Sequence, residues 1–375
     1  NCVYSGNFTL IENPKPIVAD QTRTVCSDAP VGVNFNSSTS VAATTYNVTA
    51  LDLNGLTVSA GGAAVANGLT ADALANDAFT NTTTAAKNVV YTVVPVSAAG
   101  CLGNPFTVTV IVNPEPVVAN QTRTVCSDSP LTGFALGNDA DLPIVASYNI
   151  TYINLNGLTI SAGSPATGDG LPGTELANDA FTNTTSAAKD VVYTIVPVGD
   201  NGCLGNVFFV TVTVNPEPVV ANQLKSICRN APLGISFNPS TSIAAATYNI
   251  TAITQNGLVA SAGNPATGTG LAANVIADDA FTNNTNAAIN VVYTVVPVSA
   301  AGCLGNPFTI TVTVNPEPIV ANQTLTVVGN GSVGLILGND LNGPNVSTYN
   351  ITSIQSNGLI PGSGNIGIQN GVSQN

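Results

Sequence analysis

The sequence has no histidine, no methionine and no tryptophan, and it is poor in charge. Charged residues are 7% of its 375 residues, where about 25% is usual for a soluble protein. Each shortage excludes something. Without histidine the ordinary base of a Ser–His–Asp or Cys–His arrangement is missing, and so is the commonest nitrogen ligand of zinc. Only three lysines (Lys87, Lys189 and Lys225) lie outside a proline-rich motif described below, too few and too scattered for a lysine-based alternative. Seven basic residues against 20 acidic ones leave a net charge of −13, which cannot form a cationic face for nucleic acid or anionic lipid. No apolar run approaches the roughly 18 residues of a membrane span. The glycine-rich pieces, such as Gly61-Gly62, lack the strand–loop–helix setting of a phosphate cradle.

What is present is Thr, Asn, Val, Ala and Gly, with 44% hydrophobic residues arranged in short runs. Asn-Pro-Xaa-Pro occurs at Asn13, Asn113, Asn215 and Asn315. Asn-Gly-Leu recurs in step at Asn54, Asn156, Asn256 and Asn357, and Ala-Phe-Thr-Asn at Ala78, Ala180 and Ala280. A period near 100 residues is too long for a solenoid unit and fits whole domains in tandem. The expected organisation is residues 1–13 as the last strand of a truncated upstream repeat, then repeat 1 at 14–113, repeat 2 at 114–215 and repeat 3 at 216–315. Residues 316–375 are expected to be the N-terminal part of a truncated repeat 4, so that the chain is a window on a longer array.

Within each repeat the period is two. In Phe308-Thr309-Ile310-Thr311-Val312-Thr313-Val314 apolar residues alternate with threonine, the signature of a half-buried strand. The run Val89–Val96 is apolar on both faces and suits an interior strand, with Pro95 expected at a bulge or strand end. No window carries a helical stripe. Some 100 residues of short strands and Gly/Asn turns predict an all-β fold of tandem Ig-like Greek-key β-sandwiches. The paired prolines between repeats predict semi-rigid joints and an extended rod. Tyr91, Tyr193 and Tyr293, ten residues before a cysteine, are expected in the core, with a tyrosine corner as the alternative.

The seven cysteines are not clustered as metal ligands would be. Each full repeat has one early and one late cysteine, which predicts intra-repeat disulfides Cys26–Cys101, Cys126–Cys203 and Cys228–Cys303, with Cys2 unpaired. Persistent disulfides imply an oxidising, extracellular setting. No catalytic or cofactor-binding residue is assigned. Weak Ca²⁺ candidates are Asp77, Asp179 and Asp279 at one repeat position and the local pair Asp139 and Asp141; turn chemistry is the competing explanation. Lys87 and Lys189 share a position suited to an isopeptide staple, but Ile289 stands there in repeat 3, so an edge-protecting role fits better. Asn-x-Ser/Thr triplets recur at Asn47, Asn149, Asn249 and Asn350, and at Asn81, Asn183 and Asn283, where a eukaryotic secreted protein would offer glycan acceptors.

The stretch from Tyr91 to Pro116 reads Tyr-Thr-Val-Val-Pro-Val, then Gly-Cys-Leu-Gly-Asn-Pro-Phe-Thr, then Val-Asn-Pro-Glu-Pro, and it returns from Tyr293 to Pro318. The copy in repeat 2 has Val207-Phe208 in place of Pro-Phe. This resembles the PKD-like repeats of giant Bacteroidota cell-surface proteins, often adhesion or gliding proteins exported by the type IX system. The resemblance implies Ig-like sandwiches at a bacterial cell surface and brings no catalytic residues with it. The expected function is therefore a non-catalytic stalk or filament segment of an adhesin. Its partners are neighbouring repeats, other copies in a fibre, or surface glycans. The alternatives are ligand-binding modules that hold glycan or Ca²⁺, and the spacer of a secreted enzyme.

Overall fold

The computed structural model describes residues 5–137, 143–337, 344–360 and 367–372. Cys2, Asp139 and Asp141 lie outside the described residues. The described chain is all-β apart from one 3-10 turn at Glu175–Asn178. Residues up to Thr182 together with Lys189–Val214 form one compact unit, and Asn183–Ala188 with the chain from Asn215 onward form the other.

Each full repeat builds a five-stranded and a two-stranded sheet. In repeat 1 the strands are β1 (Gln21–Cys26), β2 (Ala43–Asp52), β3 (Thr57–Ala60), β4 (Ala66–Leu69), β5 (Ala78–Thr80), β6 (Lys87–Ser97) and β7 (Phe106–Asn113). The large sheet has the order β1-β7-β6-β2-β4, and β3 pairs with β5. Repeat 2 repeats this with β8 (Gln121–Cys126), β9 (Val145–Asn154), β10 (Thr159–Ala162), β11 (Gly168–Leu171), β12 (Ala180–Thr182), β13 (Lys189–Gly199) and β14 (Phe208–Asn215). Repeat 3 does so with β15 (Gln223–Cys228), β16 (Ala245–Thr254), β17 (Val259–Ala262), β18 (Gly268–Leu271), β19 (Ala280–Thr282), β20 (Ile289–Ser299) and β21 (Phe308–Asn315). Beyond these, β22 (Tyr349–Ile351) pairs with β23 (Gln369–Val372) as β2 pairs with β4.

The two-residue period places the core. Val89, Tyr91 and Val93 of β6 and Val108, Val110 and Val112 of β7 are fully buried, while the intervening residues face outward. Each such side chain removed from water contributes about 1.5–3 kcal/mol. The interior position expected for Val89–Val96 is realised, because β6 lies between β2 and β7. Pro95 does not end its strand. It pairs with Tyr46 of β2, and it sits beyond Val93↔Phe106, the last pair between β6 and β7, so no partner there needs its missing N–H.

Two local devices set the path of the chain. Asn54 and Gly55 both have positive φ (45° and 81°) in a tight turn, closed by the Leu56 N–H on the Leu53 carbonyl at 2.8 Å, that carries the chain from β2 of the large sheet to β3 of the small one, and Asp52 Oδ1 accepts the Asn54 N–H at 2.9 Å. The first and last strands of a repeat run parallel: Gln21 lies against Val108 and Cys26 against Asn113. That pairing decides where the cysteines fall.

Candidate functional site

Cys26 is the final residue of β1 and lies in register with Asn113, the final residue of β7; the next N–H, of Ser27, donates to the Asn113 carbonyl at 2.8 Å. Cys101 belongs to the loop before β7, where Ser97 N–H donates to its carbonyl and its own N–H donates to Ser97 Oγ. The two cysteines therefore occupy opposite ends of the same sandwich. Strand β7 alone separates those ends by about 24 Å at its usual rise per residue, whereas a disulfide needs Cα atoms roughly 4.4–6.8 Å apart. The expected bridge Cys26–Cys101 is geometrically impossible. Cys26 instead bonds Cys203, with a Cα–Cα distance of 5.6 Å and a sequence separation of 177. Cys101 and Cys228 are free thiols, and Cys126 and Cys303 are disulfide-bonded. None of the three intra-repeat pairings Cys26–Cys101, Cys126–Cys203 and Cys228–Cys303 is made.

The Cys26–Cys203 bond joins the trailing end of repeat 1 to the leading end of repeat 2, and the linker docks beside it. Asn201 Nδ2 donates to the Pro114 carbonyl at 3.1 Å, and Asn201 Oδ1 accepts the Cys203 N–H at 2.9 Å. At Gly205 a Cβ would fall 1.9 Å from the Pro116 carbonyl oxygen. Only glycine lets the linker lie that close. Gly103 stands in the same relation to Pro16, and Gly305 to Pro218. The Cys-Leu-Gly motif is thus a seat for the second proline of Asn-Pro-Xaa-Pro. Burial in this junction pushes the Glu115 carboxyl up, and the negative charge of Asp28 adds to the effect.

The shared aspartates are hydrogen-bonded within their own repeats. Asp77, Asp179 and Asp279 are buried, and the hydroxyls of Tyr91, Tyr193 and Tyr293 each donate to their Oδ2 at 2.7 Å. The other oxygen accepts a loop N–H, from Gly62 at 3.0 Å in repeat 1 and from Asn264 at 3.2 Å in repeat 3. Gly61 precedes the first of these donors with φ +82°, and a Cβ there would meet Asp77 Oδ1 at 2.4 Å. Each carboxylate is a three-way tie between the loop after β3 (or its counterpart), the strand β5 that follows it, and the core tyrosine. Because the hydroxyl meets a side chain 14 residues upstream and not backbone, this is a core tyrosine and not a tyrosine corner. Among the described residues no group of three or more His, Cys, Asp or Glu side chains could hold a metal ion.

The other repeated polar residues are also engaged internally. Asn81 Nδ2 donates to the carbonyls of Ala85 and Val112, and Asn283 Nδ2 to those of Ala287 and Val314. Both amides are buried, so a glycan there is incompatible with this fold. Lys87 and Lys189 donate to the backbone carbonyls of Asn54 and Asn156, at 3.4 and 3.2 Å, in place of an isopeptide partner. Sequence reasoning missed the pairing of cysteines between repeats and the proline seat. The signal for the seat was in plain view: a glycine two residues after each late cysteine.

A family model described as a PKD-like domain matches residues 23–116, 124–218 and 225–318. No curated protein sequence matches the chain. Among solved structures, the Drosophila N-cadherin EC1-3 fragment covers 81% of this chain and 100% of its own, at 11% identity and a TM-score of 0.21. The titin I-band fragment I67-I69 covers 80% of this chain and 97% of its own, at 8% identity and a TM-score of 0.32. The Bacteroides ovatus protein SGBP-B, solved with a mixed-linkage heptasaccharide, covers 84% and 72%, at 16% identity and a TM-score of 0.17. No residue role is transferred from any of them.

Proposed function

The chain belongs to the PKD-like domain family, and from that premise we propose that it is a non-catalytic stalk segment of a large bacterial cell-surface protein, an adhesin of the Bacteroidota exported by the type IX route. Its repeats run over 14–113, 114–215 and 216–315, and each serves as an interchangeable spacer. The observation that carries this reading is the disulfide from Cys26 to Cys203, which spends both sulfurs on the joint between two repeats and none on the interior of either. Bonds of this kind persist outside the cytosol. A swap tests the reading. In the surface-displayed protein, repeat 2 is replaced by a second copy of repeat 1, and the reach of a distal epitope tag is measured by super-resolution imaging. Unchanged reach and unchanged adhesion support a spacer. Loss of adhesion with reach preserved overturns it.

One observation favours a second reading, in which repeat 2 also holds a glycan. Tyr152 of β9 and Phe209 of β14 both lie opposite Thr194 of β13, so they flank it in one row across the sheet. They are 59% and 43% exposed. Two strand spacings put them about 10 Å apart, the span of a disaccharide, and aromatic faces on an open sheet suit the apolar faces of sugar rings. Repeats 1 and 3 carry Ala50 with Thr107, and Ala252 with Thr309, in these places. Binding on a glycan array that disappears in the Tyr152→Ala/Phe209→Ala double variant supports this reading. An array blank for the unmodified chain ends it.

A further inference from the structure

The turn from the large sheet to the small one is built on one frame in all three repeats, with one charge changed. Asn54-Gly55, Asn156-Gly157 and Asn256-Gly257 are exposed and have positive φ throughout. Each turn is closed by a leucine N–H on the carbonyl three residues back, at 2.8, 2.9 and 3.0 Å. Lys87 Nζ donates to the Asn54 carbonyl at 3.4 Å, and Lys189 Nζ to the Asn156 carbonyl at 3.2 Å. Ile289 takes that place in repeat 3, opposite Val314 as Lys87 lies opposite Val112. There the side-chain amide is held as well, with Asn256 Nδ2 donating to the Asn290 carbonyl at 2.8 Å. Among the described residues nothing accepts the Gly55 or Gly157 N–H, and nothing holds the side-chain amide of Asn54 or Asn156. Asn-Gly pairs elsewhere are tied down. Gly68 N–H donates to Asn47 Oδ1 and Gly202 N–H to the Gly199 carbonyl, both at 2.9 Å, and both ends of the Asn201 amide are bonded.

We propose that Asn54 and Asn156 are self-modification sites, at which the following glycine nitrogen closes on the asparagine side chain and the lysine promotes the closure. Loss of the Gly55 amide proton puts negative charge on the Asn54 carbonyl oxygen, where the Lys87 ammonium already stands. A unit charge at roughly 4 Å in water favours that anion by a factor of about five. The Gly55 nitrogen then bonds Asn54 Cγ, the Cγ–Nδ2 bond breaks, and Nδ2 leaves as ammonia with a proton taken from water. A second water opens the cyclic imide at either carbonyl. One opening gives aspartate; the other gives isoaspartate, with the main chain rerouted through Cγ. The net change is water taken up and ammonia released, with no oxidant or reductant. Glycine suits the attacking position because no Cβ screens its nitrogen.

This inference stands on the turn alone and is independent of the stalk reading. The full chain is kept in mildly alkaline buffer made with heavy-oxygen water and sampled over weeks, and label and isoaspartate are mapped peptide by peptide. Asn54 and Asn156 should convert about fivefold faster than Asn256, with Asn67 and Asn201 slower still. Lys87→Ile should slow Asn54 to the pace of Asn256 and leave Asn156 unchanged; repeat 3 already accommodates isoleucine in that register. Ile289→Lys should speed Asn256, a gain that a folding defect confined to the lysine variants would not produce. In urea the three turns should convert alike. Equal rates at the three turns of the folded chain, or an Asn54 rate indifferent to Lys87→Ile, would overturn the proposal.

Discussion

At Tyr193 a single hydroxyl, 2.7 Å from Asp179 Oδ2, stands between a buried carboxylate and an apolar core. Burial pushes the carboxyls of Asp179 and Asp279 above the ordinary aspartate range, while the tyrosine hydroxyls pull them back down. A raised carboxyl binds its proton more tightly in the folded chain than in the unfolded one. The stability it confers is therefore complete below the unfolded pKa and is lost as pH rises through the raised folded value. Removing the hydroxyl should deepen that loss. Tyr193→Phe should cost about 1–3 kcal/mol at pH 7 and less at pH 3, as read from hydrogen exchange in repeat 2 at the two values. Equal costs would mean that the carboxylate is not what the hydroxyl supports. Gly205 makes a second residue-scale prediction. Gly205→Ala pushes a methyl into the Pro116 carbonyl, so the linker must leave its seat, and dithiothreitol should reduce Cys26–Cys203 several-fold faster than in the parent chain. An unchanged rate would mean that the linker and the bond are mechanically separate.

At the scale of elements, β6, β13 and β20 are each paired on both sides and bury a side chain at every second residue. Short β3 pairs only with β5 and is exposed throughout. Amides of Val89, Tyr91 and Val93 should therefore outlast those of Val58 and Ser59 in hydrogen exchange by orders of magnitude. Comparable rates would contradict this layering. The central strands were legible in sequence because strict alternation and continuous apolar runs are local properties. The Asn-Gly turns were legible for the same reason, since positive φ at two successive positions selects for those residues. The parallel union of β1 with β7 was not legible. Its partners lie more than 80 residues apart, and no local pattern encodes which edge a first strand chooses. The expected disulfides failed for the same reason: one early and one late cysteine per repeat look like partners until β1 and β7 are known to run the same way, which leaves Cys26 at the end of β1 and Cys101 in the loop before β7, at opposite ends of the sandwich. Asp77 is a smaller case of the same kind. Its place before Phe79 was evident, but the tyrosine that claims it lies 14 residues further on.

At the scale of the whole molecule, the bond between Cys26 and Cys203 couples domains that otherwise keep separate cores. It closes a loop with a sequence separation of 177, worth about 5 kcal/mol of denatured-chain entropy in a simple loop-closure treatment. Cys26→Ser should thus lower the thermal midpoint of repeats 1 and 2 and leave that of repeat 3 in place, as resolved by scanning calorimetry with exchange mapping. A uniform drop would show that the repeats do not melt independently. The same bond has a mechanical meaning. Tension applied to the two ends of the chain crosses from residue 26 to residue 203 through sulfur and bypasses the polypeptide between them, a hidden length of about 600 Å if fully drawn out. In optical tweezers that length should be absent from the force–extension trace until reductant is added. Wired in this way, a repeat is in parallel with its tether and not in series. It can unfold, be cut once by a protease or refold while the distance between the anchored ends barely changes.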